Sequence, residues 1–512
     1  MSPSLADLSD LADLADLAER WLRGVAANPA APPDVQLRLL QPAARAAWKV
    51  LCEERDLPPV VVDAVIAHPD PAVRRGFARN RHAAPAQRGR LAGDPDGLVR
   101  ADLASGPRPR LGRVEPLPDD VLETLLTARD EPGHGRLVTA DEIRQELVFS
   151  QQTPASFHRR MLVHENAELR IQAAGHWLWL TPGERQALLA DPDQAVREAA
   201  HRHGRILDPA AMEADLPEED CHQRGLLLVN YAVSSAVAEA CLADGRDLWS
   251  LAHNRHTPAW AVGRLARDSD PGVRERVAAR ADLEPALLAR LAEDPDEAVR
   301  TRATVHPLPR TAPQRDAIDR VVGRTAEDIG PVPEMLVEPD TGWYSRCAGS
   351  EHPLLRRVAA TCPGLPAELV DRLADDPDPQ VRHLLACNHP LAPARTVLEA
   401  FIAAPRQRPY LLTLPGLPRT GLERFLDHED PEVRALAAAD ATLSRPPLGL
   451  LDDPEARVRQ AAAANPLLAG ELVAKLLEDP GTAEGAAANP GLSAECLHEL
   501  LDRCGLTRAA VR

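Results

Sequence analysis

Apolar positions return along most of the chain at an almost constant step. The segment RDSDPGVRERVAARADLEPALLARLAEDPDEAVR, from Arg267 to Arg300, contains one pattern twice, with Val273 and Val299 at equivalent points. Positions equivalent to Val273 recur every 25 to 27 residues, apart from two longer gaps. They are Trp21, Ala47, Val73, Val99, Ile143, Leu169, Val196, His222, Leu248, Val273, Val299, Leu355, Val381, Gln407, Val433 and Val458, with a degenerate copy near Thr482. A fixed period of this length is typical of a repeat array.

Each copy carries the signals of a short helix. Three residues before the apolar reference stands a side chain suited to capping a helix start. These residues are Asp70, Asp96, Asn166, Asp193, Asp270, Asp296, Asp378 and Asp430. A proline often follows, at the first helical position, where a missing N–H does no harm. Asparagine stands seven residues after the reference at 28, 80, 388 and 465, and predicts a left-handed helix end.

A second apolar segment follows in each copy, as in LEPALLARLA, and predicts a second short helix. Isolated helices of this length are marginal in water, so they persist only by stacking on neighbouring copies. The predicted fold class is therefore all-α, an α-solenoid of about eighteen two-helix repeats of about 26 residues. The N-terminal run LADLSDLADLADLAE, with leucine at every third residue, predicts a polar helix that caps the first copy.

The repeated motif DPDxxVRxxxAxxxxxxPxxLLxxLA closely resembles the leucine-rich repeat variant family, and more loosely the HEAT repeats. The match covers nearly the whole chain. The resemblance implies a right-handed, curved superhelix of paired helices, with 3₁₀ character in the second helix of a pair. It also implies a protein that holds partners on a concave or edge surface. One iron–sulfur protein of that family has a cysteine cluster before its repeats, but here Cys52 is the only cysteine in the first two hundred residues.

An arginine follows the reference position in most copies. Because a capping aspartate recurs in step with it, we expect a structural ladder in which each arginine reaches an aspartate or a carbonyl of an adjacent copy. The predicted ladder consists of Asp70, Arg74, Asp96, Arg100, Asp193, Arg197, Asp270, Arg274, Asp296, Arg300, Asp378, Arg382, Asp430 and Arg434. The alternative is an arginine stripe that binds phosphate or an acidic partner.

Two segments interrupt the period, and insertions into a repeat array map to exposed faces. The predicted division is an N-terminal cap with repeats at 1–105, an irregular insertion at 106–142, central repeats at 143–307, a second irregular insertion at 308–350 and C-terminal repeats at 351–512, all within one continuous solenoid.

An aromatic cluster marks the second interruption. Trp343, Tyr344, Arg346, Cys347 and His352 fall within ten residues, although aromatic residues make up only 3% of the chain. Because Trp, Tyr and Arg are enriched at binding hot spots, these five residues are the candidate partner-binding site. The alternative is that the rings fill the gap in the stack. For a Cys347–His352 nucleophile pair, the sequence offers neither an oxyanion hole nor an orienting third group.

Two further clusters contain residue types that could take part in chemistry. His201, His203, Cys221 and His222 are of types that bind zinc, but their spacing matches no closed zinc motif, so no metal is predicted. The two tryptophans of GHWLWLTP are expected to pack between copies rather than to stack on a nucleic-acid base.

The net charge of the chain further limits the classes of function that fit. The formal net charge is −18 at pH 7, which works against general binding to nucleic acid. The N-terminus has no signal-peptide layout, and the least charged run, GLLLVNYAVSSAVA, is too short and too polar to span a bilayer. A cytoplasmic protein with unpaired thiols and no membrane partner is expected.

No phosphate-binding loop, HExxH or dinucleotide motif is present in the sequence. We therefore expect a scaffold or adaptor that binds another protein, with no catalytic activity and no cofactor. One alternative is a HEAT-like enzyme of nucleic-acid processing or repair, which would need a basic groove with a carboxylate and aromatic side chains. The other is a metal or redox protein.

Overall fold

Helices form all the regular structure of the described part of this protein. The computed structural model describes residues 5–108, 114–129, 138–150, 152–280, 282–305, 311–330 and 340–508. Within these ranges it contains 34 α-helices, six 3₁₀ helices and no β-strand, so the all-α prediction is confirmed. None of the helices in these ranges is both long and apolar enough to cross a bilayer.

The chain divides into two compact units. Unit 1 combines residues 1–153 with residues 393–512, and unit 2 comprises residues 154–392. This division differs from the five segments expected from the sequence, because residues close to both ends of the chain pack within unit 1.

The helices of unit 1 come from both parts of the sequence. The N-terminal part contains α1 (Leu5–Ala27), α2 (Pro33–Arg38), α3 (Trp48–Glu53), α4 (Pro59–Ile66), α5 (Pro71–Ala78), α6 (Pro85–Gly89), α7 (Gly97–Ser105), α8 (Asp119–Leu126) and α9 (Ala140–Ser150). The C-terminal part contains α28 (Ala394–Ala403), α29 (Arg408–Leu411), α30 (Pro431–Ala438), α31 (Ala456–Ala463), α32 (Gly470–Leu476), α33 (Ala483–Ala487) and α34 (Ala494–Arg503).

Unit 2 is one contiguous stretch of helices. They are α10 (Ala155–Met161), α11 (Ala167–Ala174), α12 (Pro182–Leu189), α13 (Gln194–Gly204), α14 (Pro209–Asp215), α15 (His222–Asn230), α16 (Ser235–Asp244), α17 (Leu248–His253), α18 (Ala259–Leu265), α19 (Pro271–Ala278), α20 (Pro285–Leu291), α21 (Glu297–Thr304), α22 (Ala312–Val321), α23 (Ala326–Ile329), α24 (Thr341–Ala348), α25 (Pro353–Ala360), α26 (Ala367–Ala374) and α27 (Pro379–Asn388).

The six 3₁₀ helices connect or replace α-helices. They span Pro42–Ala47, Trp177–Trp179, Arg205–Leu207, Pro405–Gln407, Glu423–Phe425 and Leu448–Asp452. The second helix of a repeat is α-helical in α18 and α20, and it is 3₁₀ at Leu448–Asp452. Both forms expected for the second helix therefore occur.

Helix starts follow the predicted capping chemistry. The side chain of Asp70 accepts a hydrogen bond from the Ala72 N–H at 2.8 Å, and Pro71 occupies the first turn of α5. Equivalent aspartate caps begin α7, α13, α19, α21, α27 and α30. These short helices therefore start where a side chain replaces the missing turn of backbone acceptors.

The asparagines at the helix ends do not adopt the left-handed conformation that the sequence predicted. The only non-glycine residue with a positive φ in the described part of the chain is Asp247, so the predicted left-handed asparagines are wrong. Asn80 is instead fully buried, and its Nδ2 donates to the carbonyls of Cys52 at 2.6 Å and Arg55 at 2.8 Å. It thereby ties the last turn of one repeat to the end of the preceding repeat.

This side-chain link recurs, and we call it the asparagine spine. Its donors in unit 1 are Asn465, Asn489, Asn28, Arg55 and Asn80, each bonded to two carbonyls at the end of the preceding stacked helix. Asn254 and Arg280 do the same in unit 2. The spine satisfies carbonyls that every helix leaves unpaired at its C-terminus.

The arginine ladder is present, but its acidic partners are different aspartates. Arg74 donates from Nε and Nη2 to both carboxylate oxygens of Asp94, at 2.7 and 3.1 Å, and from Nη1 to the His68 carbonyl at 2.6 Å. Asp94 lies two residues before the cap Asp96 of the next repeat, and it also accepts from the Asp96 N–H. Each rung therefore joins consecutive repeats.

The same geometry repeats in both units. The rungs are Arg74–Asp94, Arg170–Asp191, Arg274–Asp294, Arg356–Asp376 and Arg434–Asp453. Arg100, Arg197, Arg300, Arg382 and Arg459 reach the backbone carbonyl six residues before them. The aspartates that the sequence placed in the ladder cap helices instead. They are Asp70, Asp96, Asp193, Asp270, Asp296, Asp378 and Asp430. Asp378 and Asp430 also form ion pairs with Arg357 and Arg408, which are not ladder residues.

The two interruptions of the period contain packed helices in their described parts. Residues 106–142 include α8, whose Val121, Leu122 and Leu125 are buried, and residues 308–350 include α22, α23 and α24. Residues 109–113 and 130–137 of the first insertion, and 308–310 and 331–339 of the second, lie outside the described residues.

Candidate functional site

The sequence-predicted binding cluster lies mostly inside unit 2. Trp343, Tyr344 and Cys347 belong to the hydrophobic core around α24 and α25, and the Trp343 side chain is only 2% exposed. Arg346 is exposed, and His352 caps α25 by accepting from the Leu354 N–H through Nδ1 at 3.2 Å. The expectation of an exposed aromatic anchor is therefore corrected: these rings pack the interruption of the stack, which was the alternative interpretation.

The same placement removes the conditions for a Cys347–His352 nucleophile. Burial raises the pKa of the Cys347 thiol to about 12, so it stays protonated at neutral pH. The His352 ring is committed to its helix cap. Neither residue has the partner that thiolate chemistry requires.

The histidine and cysteine residues weighed as a zinc site do not converge. His201, Cys221 and His222 are exposed. In the described ranges, no group of three or more His, Cys, Asp or Glu side chains is arranged to hold a metal ion.

A different histidine cluster is formed by His158, His176 and His203. The rings of His158 and His176 meet edge to face at 4.3 Å between centroids. Burial, reinforced by His176, lowers the pKa of His158 to about 4, while burial followed by His203 lowers that of His176. Within the described residues, His158 Nδ1 has no hydrogen-bond partner. These histidines are therefore neutral in the folded protein.

We expect unit 2 to lose stability on mild acidification. The unfolded chain takes up a proton near the ordinary histidine pKa of 6.5, whereas folded His158 does so only near pH 4. The loss should accumulate between about pH 6.5 and pH 4 and reach about 3 kcal/mol for His158 alone. Hydrogen exchange of α10 across that interval measures it. A His158→Leu variant should be markedly flatter over the same interval, and an equal slope in the variant would contradict the assignment.

The tryptophans of the Trp177–Trp179 turn separate onto two faces. Trp177 is buried in the core between α11 and α13, as expected, but Trp179 is 57% exposed. A 3₁₀ turn places residues two apart on different sides of the helix. The turn is held by Arg185, whose Nε donates to the Trp177 carbonyl at 3.0 Å. Trp179 is therefore presented to solvent from a fixed backbone.

Trp179 forms one wall of a groove in unit 2, which we call the Trp179 groove. It encloses about 170 Å³ and is lined by Leu178, Trp179, Val229, Asn230, His253, Arg255, Arg315 and Asp316. The lining comes from the 3₁₀ turn, the ends of α15 and α17, and the first turns of α22. One side is apolar and aromatic, and the other is cationic.

The cationic side is built on the asparagine spine. Asn254 is fully buried and donates to the carbonyls of Leu228 and Tyr231, both at 2.7 Å, which fixes the backbone of Arg255 next to it. Burial, followed by repulsion from Arg185 and Arg315, lowers the pKa of Arg255. Like charges are thus held close together at this groove.

Arg315 is the least satisfied of these cations. Its side chain is 16% exposed, and its Nη2 contacts the Asp316 carboxylate at 3.3 Å. Its Nε is buried and has no hydrogen-bond partner among the described residues. A buried guanidinium N–H without a partner carries a desolvation cost.

A second exposed aromatic ring lies beside the groove. Trp249 is 49% exposed, stacks in parallel on His253, and lies under the Arg276 guanidinium, which is 4.8 Å from the ring centroid. Burial, followed by Arg276 and Arg315, lowers the pKa of His253, so this groove residue is neutral. The groove region therefore combines flat rings with guanidinium donors.

This arrangement offers groups that could bind an anion beside an apolar surface. The groove lining contains no cysteine, serine or lysine that could act as a nucleophile, and its one carboxylate, Asp316, contacts Arg315. An anionic group with an apolar neighbour fits the lining, since guanidinium groups bind carboxylates in a planar, bidentate manner and tryptophan accepts an apolar face.

Sequence reasoning missed this groove because its residues are far apart along the chain. One local signal was present. The tripeptide Asn-Arg-His occurs at 80–82 and again at 254–256, and in both places the arginine Nε contacts the following histidine.

In comparisons with known proteins, no protein-family model matches the chain, and no curated protein matches it either.

Proposed function

We propose that this protein is a scaffold that binds another protein and performs no chemistry of its own, and that the Trp179 groove receives an acidic segment of that partner. The observation that carries the proposal is that Arg255 and Arg315 line one groove together with the exposed ring of Trp179. Resemblance of the repeat motif to the leucine-rich repeat variant family supports it, since such families hold partners on their surfaces.

The size of the groove favours a peptide side chain over a free metabolite. Pockets for small ligands typically occupy about 300 to 1,000 Å³. The Trp179 groove encloses about 170 Å³, which suits one or two side chains of a longer segment. A carboxylate at Arg315 and Arg255 with an adjacent apolar side chain on Trp179 would fill it.

Charge contrast supports the choice of an acidic segment. The chain as a whole carries a formal charge of −18, whereas the groove is lined by Arg255, Arg315 and Asp316, and Arg185 lies close enough to Arg255 to lower its pKa. A local cationic patch on an acidic surface attracts an anionic segment to that place and repels it elsewhere.

A peptide-display selection against the full-length protein tests this function. Enriched peptides should carry Asp or Glu next to a large apolar residue. Trp179→Ala and Arg315→Gln should each weaken the binding of a synthetic enriched peptide about tenfold or more, as hot-spot residues do. Trp260→Ala is the matched control, because Trp260 is 40% exposed and lies outside the groove lining. Enriched peptides without acidic residues, or enriched peptides that bind both groove variants as tightly as they bind wild type, would overturn the proposal.

Binding of single-stranded nucleic acid is a second candidate, since a specific observation favours it. Exposed Trp179 and Trp249 near Arg255 and Arg276 match the stacking-plus-cation pattern of such sites, and Asp316 supplies the carboxylate that a repair enzyme would need. Labelled oligo-dT at low salt distinguishes the two candidates. Binding that falls steeply with salt and is lost in Trp179→Ala would favour nucleic acid.

A further inference from the structure

Two segments near opposite ends of the sequence meet in unit 1 as if they were consecutive repeats. Helix α1 stacks on α33, and α2 stacks on α34. The Trp21 indole donates to the Leu477 carbonyl at 2.7 Å across a separation of 456 residues. The stacking order of first helices in unit 1 is α30, α31, α33, α1, α3, α5, α7 and α9. Helix α1 therefore does not cap the array as predicted but occupies a place inside it.

The contacts at this place are those of an ordinary repeat interface. Asn28 donates to the carbonyls of Ala487 at 3.0 Å and Asn489 at 2.8 Å. Asn489 makes the same two bonds to Ala463 and Asn465, at 3.0 and 2.8 Å, in the repeat that precedes it along the chain. The asparagine spine thus runs through the meeting of the two segments without a break.

The close packing of helices also continues where the two segments meet. Gly24 and Gly485 occupy the same position of their repeats, three residues after Trp21 and Thr482. A Cβ on Gly24 would lie 2.2 Å from the Glu484 carbonyl oxygen, and a Cβ on Gly485 would lie 2.1 Å from the Gln460 carbonyl oxygen. Both helices need glycine at this position because they approach their neighbours too closely for any side chain.

The second helices complete the interface with a buried charge. The Arg38 side chain is only 4% exposed and bonds to Asp502 at 2.5 Å and to the Leu506 carbonyl at 2.6 Å. At the other side, the Arg503 guanidinium lies 4.0 Å from the centroid of the Trp21 ring. We call the whole interface, formed by residues 18–41 and 477–507, the junction.

We propose that the junction is an exchangeable interface, and that the partner that fits either of its faces is the opposite face of a second copy of this chain. In this stacking order, every other neighbouring pair of first helices comes from repeats that are consecutive along the chain. The junction is joined only through the hundreds of residues between its segments, so opening it breaks non-covalent contacts alone. Reciprocal pairing of two opened copies restores each contact and needs no new surface, as in domain swapping.

The protein concentration decides whether the two faces of the junction pair within one chain or between two copies. Within one chain, the two faces are tethered and meet at a high effective concentration, which favours the closed monomer in dilute solution. Refolding at high protein concentration gives faces of different copies the chance to pair before the chain closes. The resulting dimer must then persist on dilution, because its release requires both junctions to open.

The test is refolding of full-length protein from denaturant at low and high concentration, followed by size-exclusion chromatography with light scattering. Wild type should give monomer at low concentration and a growing dimer fraction at high concentration. Gly24→Val, which blocks the junction, should abolish the dimer. Gly183→Val is the matched control, because a Cβ on Gly183 has no neighbour within 4 Å, and it should behave as wild type. Monomer at every wild-type concentration, or an undiminished dimer in Gly24→Val, would refute the proposal.

Native thiols show whether the Gly24 variant is open or merely unfolded. Cys504 follows α34 directly and lies at the junction, with its Sγ 3.7 Å from the Ala18 carbonyl. Cys496 is exposed within α34, and Cys52 is buried in the N-terminal repeats. In Gly24→Val, labelling of Cys504 should approach the rate of Cys496 while Cys52 stays protected. If Cys52 becomes reactive as well, Gly24→Val has unfolded the repeats, and Arg38→Met takes its place as the junction variant. The dimer should again be abolished, and Cys504 should again be labelled faster while Cys52 stays protected.

Discussion

Replacing Arg74 by methionine should lower the free energy of local opening around α5 and α7 by about 3 kcal/mol or more. The Arg74–Asp94 pair is the most buried rung of the ladder, with side chains 10% and 4% exposed. Removing the guanidinium leaves the Asp94 carboxylate buried with the Asp96 N–H as its remaining donor, and it leaves the His68 carbonyl without its 2.6 Å bond. A buried charge stripped of its partner costs far more than the pair itself contributes.

Hydrogen exchange by mass spectrometry measures this loss repeat by repeat, which suits an array whose stability is a sum of local and nearest-neighbour contributions. Arg90→Met is the control, because the Arg90–Asp63 pair has a similar N–O distance of 2.8 Å but side chains 48% and 64% exposed. It should cost less than about 1 kcal/mol. If Arg74→Met costs as little as Arg90→Met, the ladder does not stabilise the array. A double Arg74→Met/Asp94→Leu variant should recover part of the loss, since no unpaired charge remains.

The fold class and the helix starts could be predicted from the sequence because both depend on local chemistry. An aspartate followed by proline specifies a helix start within three residues, whatever the rest of the chain does. The ladder partner could not be read in the same way. Asp94 and Asp96 are two residues apart, and both recur with the repeat, so only the turn geometry decides which one caps and which one faces Arg74.

The candidate site depended on information that a single segment does not contain. Trp343 and Trp179 have the same side chain, yet one is 2% and the other 57% exposed. The Trp179 groove assembles residues from 178 to 316, and the junction assembles residues 456 or more apart. The only traces of the junction in the sequence are Gly24 and Asn28, which stand in the repeat positions of Gly485 and Asn489.

The asparagine spine carries the second large expected effect. Asn80→Ala should lower the free energy of opening of the surrounding repeats by about 3 kcal/mol, because four buried or partly buried backbone groups lose their partners at once. The Asn80 amide donates to the Cys52 and Arg55 carbonyls, and its oxygen accepts from the N–H groups of His82 and Ala83. Asn230→Ala is the control, since exposed Asn230 bonds only within its own helix and should cost less than about 0.5 kcal/mol.

Asn80→Asp separates the donor role of this side chain from its acceptor role. An aspartate still accepts from His82 and Ala83, but at neutral pH its second oxygen faces the Cys52 and Arg55 carbonyls, and the repulsion raises its folded pKa above the unfolded value. The folded state then binds the proton more tightly, so the destabilisation is present at neutral pH and shrinks as pH falls through that raised pKa. Hydrogen exchange at two pH values should show this recovery in Asn80→Asp and not in Asn80→Ala. Equal pH behaviour would mean that the acceptor bonds alone hold the spine, and that its contacts between repeats contribute little.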